Sequence, residues 1–472
     1  MFLPRFNLGI DDQRIVVGAL KAADALVVAG AGLAACFMRH GPEPIQKHYI
    51  VAIAIGALLA ANYLRLGRLY RFEALRSFAA QFGPLTASWL AAVVTLLLIA
   101  YFGQLSESFS RIWAIYWFVT AYLGLVFVRA TASALLHRWR LQGRLTNNVV
   151  VVGAGTFGTR LIRHLDRRQG DGIRVLGLFD DRTTRIPRSI AGHDVRGNVD
   201  DLLLFARHNR IDQIIVALPW SAEARLRDIL KKLQAVAADV TLCPGEAAFE
   251  LPNMGYSDVG GVPMLTLQKP PLAGWNRVIK GLEDRTLALI GLIAVWPLLL
   301  AVSVAIKLSS PGPVLFCQKR YGFNNNEITV FKFRSMRWSP QDGEAQTCQA
   351  RRNDERVTPI GHLLRSTSLD ELPQLINVLL GDMSLVGPRP HAVSHNEEFA
   401  KIVDGYLARH RVKPGITGWA QVNGLRGETA TTDLMRRRVQ YDLDYIENWS
   451  LLFDLKIILL TFFTGFVHEN AY

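Results

Sequence analysis

Two adjacent acids, Asp370 and Glu371, stand in the stretch TSLDELPQL, with Arg365 just before them and Arg389 after them in GPRP. A carboxylate pair among cations can hold a divalent ion that keeps phosphate oxygens as its other ligands. More cations lie in SPGPVLFCQKRYGFNNNEITVFKFRSM, which reads as a Pro/Gly turn and then strands carrying Lys319, Arg320, Lys332 and Arg334. Scattered cations usually form a solvated face, but cations gathered around a helix start and two acids suit an anion. A diphosphate with Mg2+ satisfies that inventory. Helix capping is the plain structural alternative. Pro373 lacks an N–H and belongs in a first helical turn, which places a helix start near Asp370 as its cap. Gly381 then ends the helix. Capping accounts for one acid and for neither arginine. A helix N-terminus also favours a carboxylate as its anion.

The elements that must position these residues follow from the distribution of apolar residues. A chain of 472 residues calls for two or three modules. The formal charge of +13 points to anionic partners: nucleic acid, anionic lipid or phosphorylated substrates. No zinc finger, helix-turn-helix or aromatic-studded RNA-binding strand occurs, which sets nucleic acid aside. Four scattered cysteines, Cys36, Cys243, Cys317 and Cys348, fit reduced thiols and no disulfide framework. Apolar blocks at about 16–38, 49–64, 82–102 and 112–128 predict a four-helix transmembrane anchor over 1–145, although Lys21 and Asp24 interrupt the first. Arg65, Arg68, Arg71 and Arg76 crowd one loop, and Arg129, Arg138, Arg140 and Arg144 crowd the tail. The positive-inside rule puts both in the cytoplasm, and with them everything after residue 145.

Residues 146–268 read as a Rossmann-like module. NNVVVVGAGTFGTRLIRHL is an apolar strand, a glycine turn and a helical pattern, with Gly153, Gly155 and Gly158 in G-x-G-x-x-G spacing. Such a turn can hold a diphosphate, or serve strand–helix packing alone. RVLGLFDD ends in Asp180 and Asp181, where an acid would meet a ribose, and IDQIIVALP is a third strand. A membrane-anchored nucleotide-sugar oxidoreductase would need a Tyr-x-x-x-Lys pair, and no tyrosine has lysine at the fourth position after it. The chemistry falls to residues 269–472.

That last module carries one long apolar stretch, 286–306, with Pro297 near its middle and basic residues on both flanks: Arg277, Lys280 and Arg285, then Lys307, Lys319 and Arg320. As a helix it measures ~31 Å, so length permits a crossing. A crossing would nevertheless leave one basic flank outside. The expectation is a kinked helix over about 284–308 that enters and leaves on the cytoplasmic side, with a kinked full span as the alternative. NWSLLFDLKIILLTFFTGFV near the end reads as an interfacial helix. The expected fold class is an α/β membrane protein: four-helix block, Rossmann-like middle, and an α/β catalytic domain held to the membrane.

From about residue 275 onward, SPGPVLF, QKRYGFNNN, KFRSM, TSLDELPQL, GDMSLVGPRPH, RHRVKPGITGWAQVNGLRGET and YIENWSLLFDLKIILLT appear in order. This segment resembles the bacterial sugar transferase domain of monotopic phosphoglycosyl transferases. With the modules in front, the whole chain resembles the long branch, the undecaprenyl-phosphate glucose phosphotransferases. The resemblance implies that Asp370 attacks the β-phosphorus of a UDP-sugar, expels UMP and carries a sugar phosphate. A polyprenyl phosphate then takes it, as the first membrane step of exopolysaccharide or capsule synthesis. Glu371 is implied as a Mg2+ ligand beside Asp370 or as the group that orients it. Lys332, Arg334, Arg365 and Arg389 are implied as phosphate partners, and Asp442 as a further acidic position grouped with them. The implied location is the bacterial inner membrane, facing the cytoplasm. Membrane lipid, a homodimer and downstream glycosyltransferases are the further expected partners.

Two patterns compete for attention. His391 and His395 in HAVSH have a zinc-like spacing but no H-E-x-x-H glutamate, which favours structural or phosphate-contact roles. KPGITGWAQVNGLRG, 413–427, suits a loop closing over nucleotide or sugar, or a plain surface loop. A nucleotide-sugar oxidoreductase and a non-catalytic scaffold of polysaccharide export are the other functional readings.

Overall fold

The computed structural model describes residues 10–42, 44–72, 74–142, 146–167, 172–182, 189–243, 257–259, 262–338, 356–391, 393–403, 405–425 and 431–465. Arg144, Cys348 and the end of the 413–427 segment lie outside them. Residues 1–147 form one compact unit and 148–472 a second.

In the first unit the four apolar blocks form α1 (Ile10–His40), α2 (Lys47–Leu66), α3 (Phe78–Phe102) and α4 (Arg111–Leu141). All four are long and apolar enough to cross a membrane. Val28, Ile53, Trp117 and Leu125 form their common core. The indole N–H of Trp117 donates to the Val28 carbonyl at 2.9 Å, and that of Trp113 to Gly32 at 3.2 Å. The charge that interrupts the first block is paired: buried Asp24 meets buried Arg129 of α4 at 2.5 Å and accepts from the Tyr70 hydroxyl. Arg129 also donates to the Leu69 carbonyl and the Gln81 side chain. Arg129 is therefore not a free charge of the tail, as its flank position suggests, because α4 runs on through it.

The second unit opens with an eight-stranded sheet. Its strands are β1 (Asn147–Val152), β2 (Ile173–Phe179), β3 (Ser189–Ile190), β4 (His193–Gly197), β5 (Gln213–Val216), β6 (Asp239–Leu242), β7 (Ser257–Val259) and β8 (Val262–Gln268), in spatial order β3-β4-β2-β1-β5-β6-β8-β7. β1 pairs with β5, β5 with β6 and β2 with β4, all in parallel, while β8 and β7 close one edge antiparallel. Every residue of β1 is buried, as a central strand covered on both faces requires. α5 (Thr156–Arg167), α6 (Val199–His208) and α7 (Glu223–Leu233) pack on this sheet through Leu161, Leu202 and Leu233. The order reverses at β1, so the glycine turn stands at the switch point of the sheet.

After the sheet comes α8 (Trp275–Ser309), a continuous helix with Pro297 inside it. Its Ala288 packs with Val330 and Val378, and its Val302 and Ile306 pack with Phe333 and Leu364. The opposite face exposes Ile290, Ile293, Trp296 and Leu300. β9 (Leu315–Tyr321) and β10 (Glu327–Phe333) form an antiparallel hairpin. The remaining elements are α9 (Pro359–Ser366), α10 (Gln374–Leu380), β11 (Ser384–Val386), α11 (Val393–Ile402), β12 (Gly415–Thr417), α12 (Trp419–Val422), α13 (Thr432–Glu447) and α14 (Leu451–Gly465). β11 and β12 pair in parallel. Buried Lys280 of α8 meets Asp284 at 3.0 Å and Asp454 of α14 at 2.8 Å. Tyr445 and Trp449 donate to the same Asp454, so one polar knot ties the apolar helices α8 and α14 together. α14 exposes Leu452, Leu459, Phe462 and Phe463.

The tip of the β9–β10 hairpin joins this region to the sheet module. Asn324 has a left-handed backbone, φ 57°. Its side chain accepts from the Ala237 N–H at 3.1 Å and donates to the Ala206 carbonyl near the end of α6 at 3.2 Å. Arg207 lies over the Tyr321 ring at 5.7 Å.

Candidate active site

Ser368 adopts φ 58°, a left-handed turn, and Leu369–Glu371 follow as a single 3-10 turn. Pro373 precedes α10, and Gly381 closes that helix at φ 90°. The helix therefore begins at Gln374, and no side-chain cap bond forms at its start. Asp370 is not its cap, because the reversal at Ser368 places the acids on a turn ahead of the helix.

The two acids have different surroundings. Glu371 is buried, 8% exposed. Its Oε1 accepts from Lys332 Nζ at 2.8 Å and from Arg389 Nη2 at 2.6 Å, and Oε2 accepts from Arg389 Nη1 at 3.1 Å. Burial pushes the Glu371 carboxyl up, but the charges and hydrogen bonds of Arg389 and Lys332 prevail and hold it well below the usual range. Asp370 receives no hydrogen bond and forms no ion pair among the described residues. Burial first, and then the neighbouring Glu371 charge, raise its carboxyl to about 6 against the pull of Lys332, Arg365 and Arg389. The expectation that a helix end stabilises this anion is thus reversed: no α-helix starts there, and desolvation dominates. Glu371 is fixed as a charge, whereas Asp370 changes charge near neutrality.

Lys332 reaches Glu371 from β10, and Arg389 reaches it from the turn after β11. Arg365, at the end of α9, donates from Nε to Ser335 Oγ at 2.8 Å and lies close enough for its charge to act on Asp370. Arg334 does not join them. Its Nη1 donates to the Pro311 carbonyl at 2.7 Å and its Nη2 to the Ser310 carbonyl at 2.8 Å. Just past the end of β10, this guanidinium is turned onto the Ser-Pro-Gly corner after α8, which it clamps. Asp442 is likewise turned inward. Fully buried on α13, it meets Arg409 at 2.7 Å; burial raises its carboxyl, opposed by Arg409 and Arg438.

Arg409 belongs to a polar cluster that the sequence reading missed. Arg409 Nη1 lies 2.8 Å from His391 Nδ1, the Tyr406 hydroxyl 2.7 Å from the same nitrogen, and Arg438 Nη1 3.2 Å from His391 Nε2. Burial and the charges of Arg409 and Arg438 hold His391 well below its ordinary value, so the ring is neutral. Arg409 also donates to the Arg389 carbonyl and Arg320 to the Pro390 carbonyl, at 2.9 and 2.7 Å. The cluster braces the GPRP turn that carries Arg389. His391 is thereby a structural histidine surrounded by guanidinium groups, which repel a cation. Nor do the described residues hold any group of three or more His, Cys, Asp or Glu able to bind a metal. For Mg2+, Asp370 offers a carboxylate free of described partners. Glu371 offers Oε2, which takes one bond, while Oε1 takes two. That suits a metal that brings phosphate oxygens with it.

The 413–427 segment is less of a loop than expected. It contains β12 and α12, and Trp419 stacks edge-on to Phe453 and donates to Asp444 at 3.0 Å.

In the sheet module, Gly153 takes φ 108°, and a side chain on Gly158 would overlap the Gly153 carbonyl. Gly155 leaves room for the Arg182 guanidinium, 3.2 Å from where a Cβ would stand. The two acids beyond β2 are already used. Asp180 accepts from the Ala154 N–H at 2.8 Å, from Arg182 at 3.0 Å, and from Arg225. Burial raises Asp180, but these bonds outweigh it and bring the carboxyl to about 2. Asp181 accepts from the Val199 N–H at 2.9 Å. Arginines occupy the carboxylate expected to face a ribose.

Residues 275–468 match the family described as bacterial sugar transferase, and 67–244 match the one described as CoA-binding domain. The chain is 38% identical over 461 residues to the UDP-glucose:undecaprenyl-phosphate glucose-1-phosphate transferase of Xanthomonas campestris pv. campestris, covering 96% of this chain and 94% of that one. The chain belongs to the bacterial sugar transferase family. The protein of the same name from Escherichia coli (strain K12) is 39% identical over 84% of this chain and 83% of its own. The exopolysaccharide production protein PSS of Rhizobium leguminosarum bv. phaseoli is 48% identical, and the match covers 93% of it but only 39% of this chain. The family and the long apolar helices make this a membrane-associated protein.

Proposed function

We propose that the chain transfers a hexose-1-phosphate, with glucose-1-phosphate the first candidate, from a UDP-sugar to undecaprenyl phosphate. The observation that carries this reading is the division of labour in the acid pair: Glu371 is locked by two cations, while Asp370 has no described partner and titrates near neutrality. The names of the long relatives support the substrates.

In the first step an oxygen of ionised Asp370 bonds to the β-phosphorus, and the bond from that phosphorus to the bridging oxygen breaks. UMP leaves with the electron pair, and the sugar phosphate stays on Asp370 as an acyl phosphate. In the second step a phosphate oxygen of undecaprenyl phosphate bonds to the same phosphorus and Asp370 is released. With a second pKa near ~6 the acceptor is largely ionised at neutral pH and needs no strong base. Lys332, Arg365 and Arg389 offset charge as it moves to the leaving UMP. Glu371 holds Lys332 and Arg389 in place. Bound at Asp370 and Glu371 Oε2 with the diphosphate, Mg2+ would neutralise part of the donor's charge.

We place α1–α4 across the bacterial inner membrane with residues 148–472 on the cytoplasmic side, on the strength of the arginines at 65–71 and 138–144. α8 then enters and leaves on that same side. Both halves pack against the same strand, Ala288 in a cluster with Val330 of β10 and Ile306 in one with Phe333 of β10, which favours a helix held to one leaflet over a crossing. The product, a lipid-linked sugar diphosphate, is the kind of primer that downstream glycosyltransferases extend. Release of UMP from UDP-glucose in the presence of undecaprenyl phosphate and Mg2+ tests the reading. The wild type releases UMP and Asp370→Asn does not; equal release by both would remove Asp370 from the centre.

A further inference from the structure

A cavity of about 180 Å3, the space of roughly six waters, opens beside the acid pair. Ser368 and Glu371 line it at the acids. Leu375 of α10, Ile416 of β12, Val422 of α12 and Thr461 of α14 are among its other lining residues. Leu375 packs beside Gly291 of α8, and Thr461 is followed on α14 by the exposed Phe462 and Phe463. The cavity thus runs from the acids toward the two apolar helices of this unit.

The polar groups in its wall are mostly spent inside the protein. Thr461 donates to the Ile457 carbonyl at 2.7 Å, so Thr417, 2.7 Å from the Thr461 oxygen, donates to it. Gln421 donates to the Ile416 carbonyl at 3.4 Å, and its Oε1 is the one side-chain acceptor in the wall without a partner among the described residues. A hexose ring needs partners for several hydroxyls and would be poorly served here. Hydrocarbon needs none.

We propose that this cavity receives the first prenyl unit of the polyprenyl phosphate acceptor. Its phosphate lies at the acids, and its chain leaves past Thr461 along α14 into lipid. The proposal rests on the transferase reading, and it makes Leu375, Val422 and Thr461 determinants of acceptor binding that play no part in donor cleavage.

The test separates the two half-reactions in the full-length protein in lipid nanodiscs. Exchange of labelled UMP into UDP-glucose without acceptor reports the first, and transfer to undecaprenyl phosphate reports the second. Thr461→Phe and Val422→Phe fill the cavity from two different walls, so the result does not depend on one variant folding. Both should keep exchange within about twofold of wild type while the KM for undecaprenyl phosphate rises by about tenfold, equivalent to roughly 1.4 kcal/mol. Unchanged acceptor KM in a variant that retains exchange overturns the proposal. So does an equal fall in exchange and transfer, which would assign the cavity to the donor. If wild type shows no exchange, the transferase reading itself fails and takes this proposal with it.

Discussion

Replacing Glu371 by Gln removes a buried charge without changing its shape, and two consequences follow from the contacts. The carboxylate binds Arg389 through both oxygens and Lys332 through one, at 2.6–3.1 Å. Taking away one partner of a buried ion pair costs about 3–5 kcal/mol, and for a domain of this size each kcal/mol moves the melting temperature by about 2–4 °C. Thermal unfolding of Glu371→Gln should therefore fall by roughly 6–20 °C. The second consequence is specific to the mechanism. Asp370 stands at about 6 because of burial and then the Glu371 charge, with Lys332, Arg365 and Arg389 pulling the other way. With Glu371 neutral, burial still raises Asp370 but the second raising influence is gone, so the same cations should draw its carboxyl down from about 6 toward the ordinary ~3.9 of an aspartate. The reactive form is the carboxylate, so the rate falls as pH drops through the Asp370 pKa. The acid limb of UMP exchange, near pH 6 in wild type, should move down by about one unit, since burial remains. The phosphate of UMP titrates near ~6 in both proteins, so the readout is the difference between their profiles. Superimposed acid limbs in a folded variant would refute the argument that Asp370 is the titrating nucleophile.

Three further outcomes follow. Asp24→Ala should destabilise the α1–α4 unit by about 3–5 kcal/mol by leaving Arg129 buried and unpaired, and Asp24→Ala with Arg129→Met should recover most of it; melts or protease resistance of that unit would show whether it does. Asn324→Gly keeps a residue that tolerates φ 57° but loses two hydrogen bonds worth about 1 kcal/mol each. It should loosen the hairpin from the sheet module, read as faster hydrogen exchange at the Ala237 amide, and unchanged exchange there would deny the clasp. Asp180→Asn should lower stability at neutral pH. The wild-type carboxyl, depressed to about 2 when folded, contributes stability above its unfolded value of ~3.9 and loses it as pH falls toward 2. The gap between wild type and variant should close in acid.

Much of the fold is legible because its signals are local. The valine run of β1 and the glycines after it mark the sheet's centre, and four apolar blocks become α1–α4. At the site, Asp370, Glu371, Lys332 and Arg389 come from ordered motifs and do meet in space. The misreadings share a cause: the partner is distant in sequence. Arg129 and Asp24 are 105 residues apart, so one looks like a tail charge and the other like a flaw. Arg334 follows Lys332 by two residues, yet its hydrogen bonds depend on the distant corner at Ser310. Arg320, His391, Arg409 and Arg438 come from four separate stretches of the chain, and nothing local in sequence marks them as a cluster. The helix start was misplaced because a left-handed Ser368 has no sequence signature comparable to glycine.

The central claim is that Asp370 carries the sugar phosphate between donor and acceptor. The most direct measurement withholds the acceptor, mixes the protein with UDP-glucose and Mg2+, quenches in acid and maps the modified peptide by mass spectrometry. The account predicts a hexose-phosphate adduct on the peptide containing Asp370 that disappears when undecaprenyl phosphate is added before quenching. Stoichiometric UMP release with no adduct on that peptide, or an adduct on another residue, would contradict it.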